Sequence, residues 1–202
     1  SLTERYRAAG AHKPYLLTEF GPPGAWEVPK NDWGAPAELT STDKARFYRR
    51  SYESAVLGAP DLALGSYVFA WGHKMEATPT WYGMWLSDGS QLGAVDVMTE
   101  LWSGRPPPNR APTVEPLIVE GDAQLDPGAK LRVRAVIADP EGAAIRTRWA
   151  LLRESGEYAT GGDAETGPFT PWPFADEFRR TGLHGLWFSV LLFADDHHRR
   201  RL

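Results

Sequence analysis

The chain has 202 residues, of which 42% are hydrophobic, with a formal net charge of -4 and no cysteine. That length allows one large or two small domains with ample core material. Mild acidity and scattered basic residues argue against a nucleic-acid or membrane-surface partner. The absence of thiols excludes disulfides but not an extracellular or periplasmic setting, and no apolar run is long enough to span a membrane.

Leu2 to Gly10 reads as the last turns of a helix closed by a C-terminal glycine. The stretch Lys13-Pro-Tyr-Leu-Leu-Thr-Glu-Phe-Gly-Pro-Pro-Gly24 comes next. Tyr15, Leu16 and Leu17 form an apolar run without helical period, flanked by Pro14 and by the Gly-Pro-Pro-Gly stop. This predicts a strand over 14–19, covered on both faces as in a parallel sheet, that delivers Glu19 to its C-terminal mouth. A capping or ion-paired glutamate fits the same position. Parallel-sheet folds place their chemistry at such mouths.

Residues 21–40 form a long loop with Trp26, Glu27, Asp32 and Trp33. Thr40 and Asp43 have the spacing of a capping box. The helix they open runs to about Gly58, with Ala45, Tyr48, Tyr52, Ala55 and Val56 on one apolar face. Leu64 to Trp71 is a second buried strand, ending at Gly72-His73. A second long loop, 72–93, carries Glu76, Trp81, Tyr82, Trp85 and Asp88. Ala94, Val97, Met98 and Leu101 mark a short helix that stops at Ser103-Gly104. Strands joined through one helix lie parallel. Most of the nine tryptophans fall in loops, where indoles suit flat, partly apolar ligands such as sugars.

Residues 105–112 are a proline-rich, semi-rigid linker. Beyond it the texture becomes all-β. Leu131 to Ile137 and Ile145 to Trp149 alternate, with turns at Asp126-Pro-Gly128 and Asp139-Pro-Glu-Gly142. Residues 113–173 read as an immunoglobulin-like β-sandwich module, complete or not. Residues 174–202 form an atypical tail, containing an apolar run over Leu186 to Phe193 and a His/Arg-rich terminus. The tail run reads either as one more strand or as non-native sequence.

The two strand mouths together, Thr18-Glu-Phe-Gly21 and Ser66-Tyr-Val-Phe-Ala-Trp-Gly72, resemble the last quarter of a retaining glycoside hydrolase (β/α)8 barrel. The likeness is to the family 2-like members of the superfamily that holds families 5 and 2, and it covers roughly residues 10–105. The resemblance implies a partial TIM barrel (the last two βα units) over residues 1–104, so that the fold class is α/β followed by all-β. It implies Glu19 as the nucleophile at the end of the seventh strand, and Trp71 as the floor of the sugar subsite at the end of the eighth. The segment Thr78 to Gly89 resembles the loop that carries substrate aromatics, so Trp81 and Tyr82, with His73 and Trp26, are the expected substrate contacts.

A retaining mechanism needs a second carboxylate about 5–5.5 Å from the first. In the family it comes after an asparagine on the fourth strand, and this chain has no Asn-Glu pair. Glu27, Glu38 and Glu76 are the glutamates in the two loops, each more ordinary as a loop or ion-pair residue. The expectation is therefore a fragment whose parent cleaves O-glycosidic bonds in an oligo- or polysaccharide, with the N-terminal part of the barrel lying in that parent and the fragment alone inactive. No cofactor is implied. His12, His73 and His184 show no metal-ligand spacing. A non-catalytic carbohydrate-binding or adhesive module, and a transglycosylase on the same barrel, are the competing readings.

Overall fold

The computed structural model describes residues 1–153 and 188–196, apart from residues 33, 75, 123, 127 and 128. The elements run α1 (Leu2–Ala8), β1 (Tyr15–Phe20), α2 (Ser41–Tyr52), β2 (Ala63–Val68) and α3 (Gly93–Ser103), followed by strands β3 to β8. β1 and β2 pair in parallel, with α2 and a π-helical turn (Glu53–Leu57) in the crossover. This is the expected helix-strand alternation.

The details come from local chemistry. At the first turn of α1, Ser1 and Glu4 form a capping box. Thr40 caps α2, its hydroxyl accepting from the Asp43 amide at 3.1 Å and donating to the Asp43 carboxylate at 3.0 Å. α3 ends where Gly104 turns left-handed at φ 75°, and its amide donates to Glu100 O at 2.8 Å.

One cluster of buried side chains unites these elements. Phe20 and the partly buried Leu17 and Val68 come from the sheet, Tyr48 and Tyr52 from α2, and Ala94, Val95 and Met98 from α3. Met84, from the loop before α3, is completely buried among them. Tyr48 meets Phe20 edge-on, with ring centroids 5.5 Å apart. α3 starts close against α2, with Gly93 N donating to the Ser41 hydroxyl at 3.4 Å. Arg49 crosses from α2 to Glu100 of α3 at 2.5 Å.

The strand expected to be covered on both faces is covered on one. The helices pack against Leu17, Phe20 and Val68, whereas Leu16, Leu64 and Tyr67 are exposed. β1 and β2 form a sheet of two strands only, so among the described residues both strands have a free edge. β2 also stops before the expected Trp71. Phe69 N still bonds to Phe20 O at 2.7 Å, but Ala70 takes a left-handed φ of 51° and leaves the ladder.

The proline-rich stretch is fastened at its end rather than free. Ala111 N donates to the buried Asp96 carboxylate of α3 at 2.6 Å, and Val114 N to the Thr42 hydroxyl of α2 at 2.8 Å. Beyond it, β3 (Thr113–Val114) pairs antiparallel with β6 (Ile137–Ala138), and β4 (Ile118–Glu120) with β5 (Arg132–Arg134). The alternating run at 131–137 is thus two short strands with different partners. The turn at Asp139 forms as expected, its carboxylate accepting from the amides of Glu141 and Ala143. β7 (Ile145–Arg153) pairs antiparallel with β8 (Phe188–Asp196), so the apolar run of the tail includes a strand.

Among the described residues the strands make four separate two-stranded sheets and no closed barrel. No apolar side chain described in 113–153 is fully buried. The segment around Phe178 and the terminal His/Arg run lie outside the described residues, as do Trp33, His184 and most of the Asp126-Pro-Gly128 turn. Among the described residues no helix is long and apolar enough to cross a membrane.

Candidate functional site

The site is built from an irregularity in the sheet. Leu17 lies opposite Ser66 and Phe20 opposite Val68, so Thr18 and Glu19 accommodate one more residue than β2 has. Strict alternation would send Leu17 and Phe20 to opposite faces. The extra residue lets both pack against the helices and leaves Thr18 and Glu19 both exposed at the C-terminal mouth of β1. Bulges re-aim side chains in this way. Among the described residues, no hydrogen bond or ion pair engages the Glu19 carboxylate.

The other glutamates of the two loops are engaged. Glu27 Oε2 accepts from Gly24 N at 2.7 Å. Glu38 pairs with Lys44 and accepts from the hydroxyls of Thr78 at 2.6 Å and Thr80 at 2.8 Å. Glu76 is buried, with Oε2 2.5 Å from Lys74 Nζ, a charge contact lacking hydrogen-bond alignment. The Lys74 ammonium also lies 4.6 Å from the Phe69 ring centroid and 5.7 Å from that of Tyr82, a cation–π arrangement.

Trp71 is 52% exposed at the mouth of β2. Its ring meets Trp85 edge-on at 6.0 Å and tilts by 30° against Trp102, 6.2 Å away. The structure therefore joins Trp71 to α3, and no described contact joins it to Glu19. Trp102, itself 49% exposed, is not foreshadowed by the loop tryptophans. Its only sequence signal is its place four residues after Met98 on α3, which reads as core. His73 is exposed and engages no described partner. Trp26 is exposed too, and its ring lies over Gly24, where a Cβ would come within 2.6 Å of it.

Trp81 and Tyr82, expected to face substrate, are buried instead. With Ala25 and Ala77 they form a second apolar cluster under the loops, backed by Val28, Phe69 and Ala70. Trp81 Nε1 donates to Pro23 O at 2.9 Å, and Tyr82 packs edge-on against Phe69 at 5.0 Å. The reason is size and chemistry. Two large rings on one loop bury more area against a neighbouring loop than they can by facing water, and the indole N–H finds a carbonyl there.

Lys44, also not foreshadowed by the sequence, stands in the first turn of α2 and is buried. Its ammonium donates to Glu38 and to Thr80 O, the latter at 2.6 Å. Burial holds its pKa below the usual lysine range, against the opposing pull of Glu38. Tyr48 is buried as well. Its hydroxyl reaches Phe69 O at 3.3 Å, and burial raises its pKa well above the ordinary phenol value.

Chemically, the arrangement offers one free carboxylate at a parallel-strand mouth, an exposed indole just past β2 and another in the loop after β1, and two loops cross-linked by a buried charge pair. No group of three or more histidines, aspartates or glutamates among the described residues is placed to hold a metal ion. Comparison with known protein families finds no model that matches the chain, and a search of curated proteins finds no relative.

Proposed function

We propose that this chain is the C-terminal part of a retaining glycoside hydrolase barrel of the family 2-like kind, with Glu19 as its nucleophile. The observation that carries the reading is the Thr18–Glu19 irregularity, which presents an unpaired carboxylate at the C-terminal mouth of a parallel strand pair. The sheet face turned away from the helices is apolar, with Leu16, Leu64 and Tyr67 exposed, and both strands have a free edge among the described residues, which supports a barrel interior closed by further strands from the parent.

In this reading the ionised Glu19 attacks the anomeric carbon while an acid supplied by the rest of the barrel protonates the leaving oxygen. Water then attacks the glycosyl-enzyme, with the same acid acting as base. Trp71 stacks on a sugar ring, and His73 and Trp26 reach hydroxyls or ring faces at the rim. Trp81 and Tyr82 support the loop from beneath. Glu27, Glu38 and Glu76 are engaged and do not supply the acid. The β-strand region after residue 112 is an immunoglobulin-like accessory module.

The test is aryl-glycoside hydrolysis by the full-length parent and its Glu19→Gln variant. Turnover is expected to fall by on the order of a thousandfold or more, since covalent catalysis loses its nucleophile. An activated fluorinated glycoside should also label the peptide containing Glu19. Retained turnover in the variant removes the assignment.

The exposure of Trp71 and Trp102 favours a second reading, a non-catalytic carbohydrate-binding module. Glycan binding by this chain, with no hydrolysis by its parent, would select it. Product analysis with an added sugar acceptor separates a hydrolase from a transglycosylase, because the two share the covalent intermediate.

A further inference from the structure

The irregularity that exposes Glu19 selects one residue on the facing strand. Leu17 lies opposite Ser66 and Phe20 opposite Val68, so Tyr67 alone stands against Thr18 and Glu19. In a bulge, two residues of one strand oppose a single residue of the other. Tyr67 is that single residue. Its neighbours turn towards the helices: Val68 packs against the main core, and the Ser66 hydroxyl is buried. Alternation sends Tyr67 to the opposite face, where it is 63% exposed. Paired strands run about 4.8 Å apart, so the phenol and the Glu19 carboxylate rise from adjacent points at one level of the sheet.

The two groups are chemically complementary. An ionised carboxylate only accepts hydrogen bonds, whereas a phenol also donates one. Among the described residues neither the Glu19 carboxylate nor the Tyr67 hydroxyl has a hydrogen-bond partner. Leu16 and Leu64, exposed on the same face and earlier along their strands, are aliphatic and offer the phenol none. A phenol enclosed by further strands on such a face needs a polar partner. A molecule held at Glu19 lies at the level to supply it.

We infer that Tyr67 is a substrate-contacting residue of the Glu19 site. Its hydroxyl donates a hydrogen bond to an oxygen of the sugar whose anomeric carbon Glu19 attacks, and its ring separates that sugar from the aliphatic layer of Leu16 and Leu64. The inference rests on the reading of Glu19 as the nucleophile.

The test uses the full-length parent and three readouts: aryl-glycoside hydrolysis, the rate at which an activated fluorinated glycoside labels Glu19, and the urea midpoint of unfolding. Tyr67→Phe keeps the ring and removes only the hydroxyl. Its kcat/KM and its labelling rate are both expected to fall by at least about fivefold, because a sugar oxygen loses its donor in an enclosed site. The urea midpoint is expected to stay at the wild-type value. A smaller fall in either rate overturns the inference, and leaves Glu19 in place if Glu19→Gln is inactive. A lowered urea midpoint, or failure of Tyr67→Phe to fold, also overturns it, since the hydroxyl is then a structural group of the barrel interior. Full turnover by Glu19→Gln removes the nucleophile, and this role of Tyr67 with it.

Discussion

Tyr48 allows the packing of the core to be tested with one oxygen atom. It is 1% exposed, set edge-on to Phe20, and its hydroxyl makes one long bond, to Phe69 O. Tyr48→Phe keeps the ring and removes that bond, so the cost near neutral pH is about 0.5–1.5 kcal/mol. Tyr48→Ala removes the ring from the junction of sheet, α2 and α3 and should cost about 3–5 kcal/mol.

The more discriminating readout is alkaline pH. Burial raises the Tyr48 pKa, so above the ordinary phenol range the folded chain holds a proton that the unfolded chain releases. The stability this contributes is fully present below a pH of about 10 and is lost as pH rises towards the folded-state value. From about pH 9 to about pH 11 the wild type should lose roughly 1.4 kcal/mol more than Tyr48→Phe. Every other lysine and tyrosine, Lys44 included, titrates alike in both proteins and cancels in the difference. Urea unfolding followed by tryptophan fluorescence over this range gives both curves. Parallel pH dependences for the two proteins would refute the burial argument.

Two further outcomes rest on the backbone. Thr40→Ala removes the cap of α2 and should lower stability by about 1 kcal/mol in the same urea assay. Ala70→Gly relieves a left-handed alanine at the end of β2 and should raise stability by up to about 1 kcal/mol, readable as an upward shift of the thermal midpoint.

Local signals in the sequence locate most elements of the first hundred residues. The Thr40–Asp43 spacing opens α2, Gly104 closes α3, and the apolar runs from Tyr15 and from Leu64 contain the two strands of a parallel pair. The hidden features depend on contacts far apart along the chain. The re-aiming of Glu19 needs the register of β2, a partner some fifty residues away, and no property of Thr-Glu-Phe encodes it. Lys44 looks like one more solvated helix charge, because its partners Glu38 and Thr80 share no period with α2. Trp81 and Tyr82 read as outward-facing because loop aromatics give no periodic cue to their direction. Splitting of the 131–137 run into β5 and β6 is likewise decided by two different partner strands.

The stitching of residues 111–114 to the helices bears on where this protein can be divided. By composition the border lies in the prolines, and a cut there looks harmless. By hydrogen bonding it lies later, because the side-chain oxygens of Asp96 and Thr42 are taken up by the amides of Ala111 and Val114. A truncation after Gly104 takes both of those donors away, and it bares the buried carboxylate of Asp96 on the flank of α3. One ending after Val114 carries them along. The cooperative unit of the N-terminal region thus reaches through its own linker and includes β3, the first strand of the β-rich half.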